Sequence, residues 1–367
     1  MPNSELPARF RIHAAPRVGL LLLAIAPVFC LTSCGGGNSA LLAQAEEALD
    51  RGDRDTAIAA FRTYLERVPD ASETRLKLGS LLRESEPREA LQVLEKVPVS
   101  DPHRLAAVQQ IAIIQIVAGR STEAESALKE VIVAQPENFG AQLSLAELYF
   151  RMGAFKSALP HAIEARRLRP DRAQTCLLLA EIHDELHDPA SMIEPLRSAL
   201  QIDPDFYAAH LNLAYAAHKT GDLTTASNEA NWCLARQPRD VAALRILAAV
   251  ARDDGRFTEA QSRLDKALAI APHDLDCRIL EADLLLYKRQ PRQAYDRLKE
   301  IYDANKETVR YLGALARSAA SAGLREESKA LHRRISERVE KPAASKERDS
   351  AENVDTTPAP GGSPVAP

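Results

Sequence analysis

The sequence predicts an all-α fold, a solenoid of stacked helical hairpins, and three observations carry that prediction. Prolines recur at Pro136, Pro170, Pro204, Pro238 and Pro272, each 34 residues after the last. Small residues recur at Ala45, Gly79, Ala112, Ala146, Ala180, Ala214, Ala248, Ala282 and Ala316, every step being 34 except the 33 from Gly79 to Ala112. Composition agrees: apolar residues make up 46% and aromatics only 5%, as in amphipathic helices that approach closely through small side chains. A fixed period of this size marks a repeat architecture.

Each element of one unit has a physical reason. The first alanine sits where a neighbouring helix crosses, so only a small side chain fits. A leucine precedes it at Leu145, Leu179, Leu213 and Leu247 and supplies the core knob. A glycine series, Gly52, Gly119, Gly153, Gly221, Gly255 and Gly323, falls seven residues after the alanine and ends the first helix in a left-handed conformation. A second small series, Ala57, Ala90, Ala124, Ala158, Ala226, Ala260 and Ala294, faces the first from the second helix. The proline then stops that helix, which its ring cannot continue. One hairpin is too small to bury its own apolar face, so neighbours must stack.

These offsets resemble the tetratricopeptide repeat family, most clearly over 139–172 in Leu145-Ala146, Tyr149, Gly153, Ala158, Ala165 and Pro170. The resemblance covers residues 38–339 as nine units and implies a right-handed superhelix. Three departures stand out. The second unit loses one residue near Ser85-Glu86-Pro87, in the interhelical turn. In the fifth, Met192 replaces the second alanine and Pro195 is expected to interrupt the second helix, leaving a loosely packed or kinked unit. Near the end, Lys306 replaces the proline and Ser328 the alanine, and a helix from about Leu324 to Val339 caps the stack.

The ends read differently. Residues 1–17 carry Arg9, Arg11 and Arg17 against Glu5, followed by the apolar run Val18–Ala26, too short to span a bilayer. This is an export signal, expected over 1–33. Leu31-Thr32-Ser33-Cys34 resembles the lipobox of bacterial lipoproteins, which implies cleavage before Cys34 and acylation of its thiol; an ordinary signal peptide is the alternative. The bulk of Phe29 disfavours Cys30 for that role. Removing the leader takes three arginines and one glutamate from 47 bases and 51 acids, leaving 44 and 50 and a net charge of −6. Attachment to an anionic membrane then falls to the lipid. Gly35 follows the cysteine where inner-membrane lipoproteins often carry aspartate, so the resemblance implies an outer membrane facing the periplasm in a diderm cell. Residues 34–37 form a short glycine tether, and 340–367, rich in Pro, Ala and Ser, cannot bury a core and are expected to be disordered.

Several function classes are disfavoured. No Lys/Arg block with interleaved aromatics is present, which argues against a nucleic-acid partner. No phosphate loop, nucleophile elbow or Cys-x-x-Cys pair appears, so neither an enzyme, a cofactor nor a small-molecule substrate is expected. Cys176, Cys233 and Cys277 fall at apolar helical positions and read as small buried hydrophobes. The nearest approach to chemistry is His183-Asp184-Glu185-Leu186-His187, two histidines four apart as in the zinc-protease pattern His-Glu-x-x-His, with Asp184 in the glutamate's place. His183 fills the repeat's tyrosine slot and His187 its glycine slot, so helix-end packing is the plainer reading. A metal-binding or regulatory protein associated with an envelope enzyme, using this pair, is the alternative function.

The resemblance also locates a partner surface. In the family the first helix of each unit lines a concave groove through its second, fifth, ninth and twelfth positions. Here these include Glu147 and Phe150, Glu181 and Asp184, Tyr215 and His218, and Arg245 and Arg252. The groove is expected to run from an acidic stretch through Tyr215 and His218 to a basic one, suiting a peptide of defined direction. The Lys/Asn pairing by which some relatives grip a C-terminal carboxylate is absent. The function expected is a membrane-anchored adaptor that binds proteins in envelope assembly, of secretins, pili or exopolysaccharide exporters.

Overall fold

A computed structural model describes residues 36–352, with side chains over 37–338. The expected signal at 1–33, Cys34, Gly35 and residues 353–367 lie outside the described residues.

The first hairpin pairs α1 (Gly36–Asp50) with α2 (Arg54–Arg67), the second α3 (Ser72–Ser85) with α4 (Pro87–Glu95), and the third α5 (Arg104–Val117) with α6 (Ser121–Ala134). Next come α7 (Phe139–Arg151) with α8 (Phe155–Leu168), α9 (Ala173–Glu185) with α10 (Pro189–Ile202), and α11 (Tyr207–Thr220) with α12 (Leu223–Arg236). The seventh hairpin is α13 (Val241–Asp253) with α14 (Phe257–Ile270). The eighth is α15 (Leu275–Tyr287) with α16 (Pro291–Lys299), followed by the single turn α17 (Tyr302–Asn305). The ninth is α18 (Val309–Ser321) with α19 (Arg325–Glu352). Among the described residues there is no strand, and the chain is an all-α solenoid.

The curvature of the stack follows from which helices meet. First helices touch the first helix of the next hairpin through most of the stack, as α3 on α5, α5 on α7, α7 on α9, α11 on α13, α13 on α15 and α15 on α18. Second helices make no comparable contact with each other. The first helices therefore lie on the inside of the curve and form the concave face.

The small-residue series does the packing the period demands. Ala45, Ala112, Ala146, Ala180, Ala214, Ala248 and Ala316 are wholly buried, as are Ala57, Ala90, Ala124, Ala158, Ala226, Ala260 and Ala294 on the facing helices. Gly79 shows how close the crossing is, since a Cβ there would stand 2.6 Å from the side chain of Leu94. Ser328 is buried in its alanine slot and donates its hydroxyl to Ala316 O at 3.1 Å. The six glycines of the turn series all take positive φ, between +70° and +86°. In the fifth and eighth hairpins, which lack the glycine, His187 (φ 59°) and Arg289 (φ 57°) occupy the same left-handed site. In the second hairpin the missing residue shortens the turn to Glu86 alone.

A feature absent from the repeat pattern satisfies the proline turns. Gln142, His210 and Arg278 occupy the same buried position in alternate units. Gln142 Nε2 donates to Pro136 O at 3.0 Å and Arg278 Nε to Pro272 O at 2.7 Å, while His210 Nε2 lies 2.9 Å from Pro204 O. Each provides a partner for a carbonyl that could otherwise be left without one inside the stack.

Three expectations are corrected. Helix α10 is not interrupted: it runs unbroken through a buried Pro195, and α8 likewise continues through Pro160, which is exposed. An interior proline forfeits one backbone hydrogen bond and costs about 3 kcal/mol in an isolated helix. Burial of Met192, Leu196 and Ala199 among Cys176, Ala180, Ala209 and Leu213 outweighs that cost, so the fifth unit is packed rather than loose. Helix α19 continues past 339 to Glu352, through a stretch rich in the helix formers Ala, Lys, Arg and Glu. At the other end, Gly36 and Gly37 belong to the first turn of α1 rather than to a tether.

Candidate docking surface

The concave face gathers the groove residues in two regions. In the first, Glu147 on α7 and Glu181 on α9 stand among the half-buried Leu143, Phe150 and Leu177. Among the described residues neither glutamate has a cation within ion-pair distance. Desolvation by the surrounding helices raises the Glu147 carboxyl above its ordinary value, against a weaker pull from Arg151. Glu147 is exposed at its surface, so the neighbouring helices crowd its carboxylate without enclosing it. Glu181 is raised for the same reason, and the charge of Asp184 adds to it. Phe150 packs edge-on to Phe155 at 5.5 Å between ring centroids.

Tyr215 and His218 on α11 form the middle. Burial pushes the Tyr215 hydroxyl upward, with the neighbouring Asp184 carboxylate acting in the same direction. Lys219 Nζ stands 5.4 Å from the Tyr215 ring centroid, within cation–π range. His218 Nε2 lies 2.8 Å from Asp253 Oδ2. Burial nevertheless holds the imidazole below its ordinary value, with Lys219 and Arg252 adding to that and Asp253 opposing it.

The second region is not a bare basic patch. Arg245 Nη1 lies 3.5 Å from Asp276 Oδ2, one hairpin along. Arg252 Nη1 lies 3.5 Å from Asp283 Oδ2, and its Nε donates to Asp253 Oδ1 at 2.8 Å. Each of these two aspartates then meets a second arginine on α18: Asp276 meets Arg310, and Asp283 meets Arg317 at 3.5 Å. The result is two Arg–Asp–Arg rows that cross three first helices. Asp276, Asp283, Arg310 and Arg317 lie in the eighth and ninth units, beyond the basic stretch at which the expected groove ended. The same second and ninth positions, carried into the eighth and ninth units, name all four.

His183 and His187 are not brought onto one helix face. α9 ends at Glu185, and His187 lies past it in the left-handed turn, while His183 Nδ1 faces Asp188 Oδ2 at 3.9 Å. Among the described residues no group of three His, Cys, Asp or Glu side chains is placed to hold a metal ion. Cys176, Cys233 and Cys277 are free thiols, fully buried in the stack.

Nine stacked helical hairpins among the described residues, first helices to the inside, are the α-solenoid class of protein. Models of the tetratricopeptide repeat match residues 42–104, 110–173 and 220–274, and residues 251–318. The chain belongs to the tetratricopeptide repeat family, whose members are in general protein–protein interaction scaffolds rather than catalysts. No curated protein matches it. Among solved structures, PilF of Pseudomonas aeruginosa is 18% identical over 58% of this chain and 98% of its own, with a TM-score of 0.50. A tetratricopeptide repeat protein from Parabacteroides merdae is 15% identical over 77% of this chain and 99% of its own (TM-score 0.48). PilW, a type IV pilus biogenesis factor, is 21% identical over 55% and 94% (TM-score 0.46). At these identities the likeness speaks for the fold alone.

Proposed function

We propose that this chain is a lipid-anchored scaffold of the bacterial cell envelope, acylated at Cys34 and holding a protein partner along its concave face. The observation that carries the docking role is the first region of that face. Carboxylates without counter-ions stand there among half-buried leucines and Phe150. A monomer gains nothing by leaving desolvated charge unpaired, whereas a partner bringing a cation and an apolar face satisfies both. The lipobox-like Leu31-Thr32-Ser33-Cys34 supports the anchor. No helix among the described residues is long and apolar enough to cross a membrane. An outer-membrane site facing the periplasm, with a task in secretin, pilus or exopolysaccharide-exporter assembly, is the setting this reading favours.

Affinity capture from detergent-solubilised envelopes tests it with three proteins: wild type, a concave variant (Glu147→Lys with Glu181→Lys) and a convex variant (Ile163→Lys with Glu130→Lys). The account expects a partner retained by the wild type and the convex variant and lost from the concave one. A partner retained by the concave variant and lost from the convex one contradicts it. For the anchor, Cys34→Ser should abolish incorporation of labelled palmitate and release the chain from membranes; unchanged labelling contradicts it.

A further inference from the structure

Resting on that reading, we infer that the far end of the concave face recognises a partner segment bearing two carboxylates about 10 Å apart. The two Arg–Asp–Arg rows are the ground for it. Arg245 and Arg252 on α13, Asp276 and Asp283 on α15, and Arg310 and Arg317 on α18 are each seven residues apart. Seven residues is two helical turns, about 10 Å along the axis, so the rows run parallel at that separation.

Between them opens a cavity of about 480 Å³, walled by α11, α13, α15 and the start of α18. Four cations line it, Lys219, Arg245, Arg252 and Arg310, against only Asp276 and Asp283, so the cavity carries two positive charges in excess. Asp253 is not among its lining residues; it holds the Nε of Arg252 and the ring of His218.

The pairing of the α13 arginines with the α15 aspartates is loose, whereas Arg310 is closely hydrogen-bonded to Asp276 from the far side and Arg252 also donates to Asp253. Arg245 reaches Asp276 only at 3.5 Å and makes no hydrogen bond there, and Arg252 meets Asp283 at the same distance. Guanidinium groups have five donors in a planar fork suited to carboxylates, and most of those on Arg245 remain available. One carboxylate seated on each row therefore neutralises the excess without displacing an aspartate. Tyr215, also in the wall, adds an aromatic side chain with Lys219 over its ring. His187, a non-glycine residue held in the left-handed region where six other hairpins use glycine, lines the same cavity. Strain of that kind persists where surrounding structure fixes it and is concentrated at binding sites. The partner thus offers acidic side chains here and a basic or apolar stretch to Glu147, Glu181 and Phe150.

Rigid rulers test the spacing. Two fluorescent oligoproline peptides carry a pair of glutamates three or six residues apart. Polyproline II rises about 3.1 Å per residue with three residues per turn, so both pairs share a face, at about 9 and about 19 Å. Binding to the full-length chain in detergent is read by fluorescence anisotropy at low salt. The three-residue ruler is expected to bind about fivefold tighter, the upper end for one further partly exposed charge pair. That preference should vanish in Arg245→Gln with Arg252→Gln, shrink in the surface variant Arg310→Gln with Arg317→Gln, and persist in Glu147→Gln with Glu181→Gln. Equal binding of the two rulers, or a preference untouched in both arginine variants, overturns the inference. If neither ruler binds while envelope capture still depends on Glu147 and Glu181, the spacing inference fails and the docking role stands. If the rulers discriminate but capture ignores the concave face, the docking role fails instead.

Discussion

The fourth and fifth hairpins and the seventh to ninth share one backbone plan yet treat charge on the concave face in opposite ways. In the former, Glu147 and Glu181 are desolvated without a counter-ion. In the latter, each arginine facing inward meets an aspartate from an adjacent hairpin, and the ion pairs tie neighbouring units together. The core beneath the two regions is built alike, a buried alanine on the first helix facing a buried alanine on the second, with Met192 standing in for the second alanine in the fifth hairpin and Ser328 in the ninth. The repeat thus fixes the stacking, while the groove positions are free to carry either an unmet charge or a bridge. Where charge is unmet, binding has something to offset; where it is bridged, binding must add to a network already in place.

If the two regions differ only at the groove, damage to the shared core should cost the same in both. Ala146→Leu in the fourth hairpin and Ala248→Leu in the seventh each overpack a closed crossing and should destabilise by about 1–3 kcal/mol in urea unfolding followed by circular dichroism. A cost confined to one of them breaks the comparison at its base.

The turn of the fifth hairpin sharpens it. A non-glycine residue in the left-handed region costs about 1–2 kcal/mol, so His187→Gly should raise stability by about 1 kcal/mol. Gly153→Ala, one hairpin earlier, should lower it by a similar amount. If His187→Gly also weakens binding of the three-residue ruler, the strained turn shapes the cavity; unchanged binding confines its role to the turn.

The smallest effect is in the pH dependence, where the regions should have opposite signs. The folded chain holds protons on Glu147 and Glu181 at a pH where the unfolded chain has released them. Their contribution to stability therefore falls as pH rises from the ordinary glutamate range through the raised one. Glu147→Gln with Glu181→Gln should remove that decline. Asp253 behaves in reverse: Arg252 and His218 outweigh its burial and hold it below the ordinary range, so its contribution is present above that range and lost on acidification. Titration of stability from pH 2.5 to 7 on the wild type, the double variant and Asp253→Asn checks both signs, the glutamate effect in the upper part of that window and the aspartate effect in the lower.

Much of the fold was legible because the solenoid repeats its constraints. The alanine, glycine and proline series each encode one local demand, and five to nine copies of each demand leave little freedom for register. The misreadings fall where a local rule met tertiary packing. Pro195 breaks an isolated helix, yet the layer around Met192 and Leu196 holds α10 continuous. Residues 340–352 lack a core face, yet their intrinsic propensity carries α19 onward. The groove residues were legible as positions but not as partners. That Arg245 meets Asp276, 31 residues on, while Asp276 meets Arg310, 34 residues on, depends on how one hairpin is rotated against the next, and a linear period does not record that rotation. The proline-carbonyl contacts of Gln142, His210 and Arg278 had a fainter signal, a polar residue at every second copy of an otherwise apolar position.

The central claim is that partners dock on the inner face made by the first helices. A photo-crosslinking scan in native membranes tests it most directly, with a benzophenone amino acid placed in turn at the concave Phe150, Tyr215 and Ile279 and at the convex Ile163, Val133 and Ile202. The account predicts one cross-linked partner from the concave positions and none from the convex ones. The same partner cross-linked from the convex positions, with the concave ones silent, would contradict it.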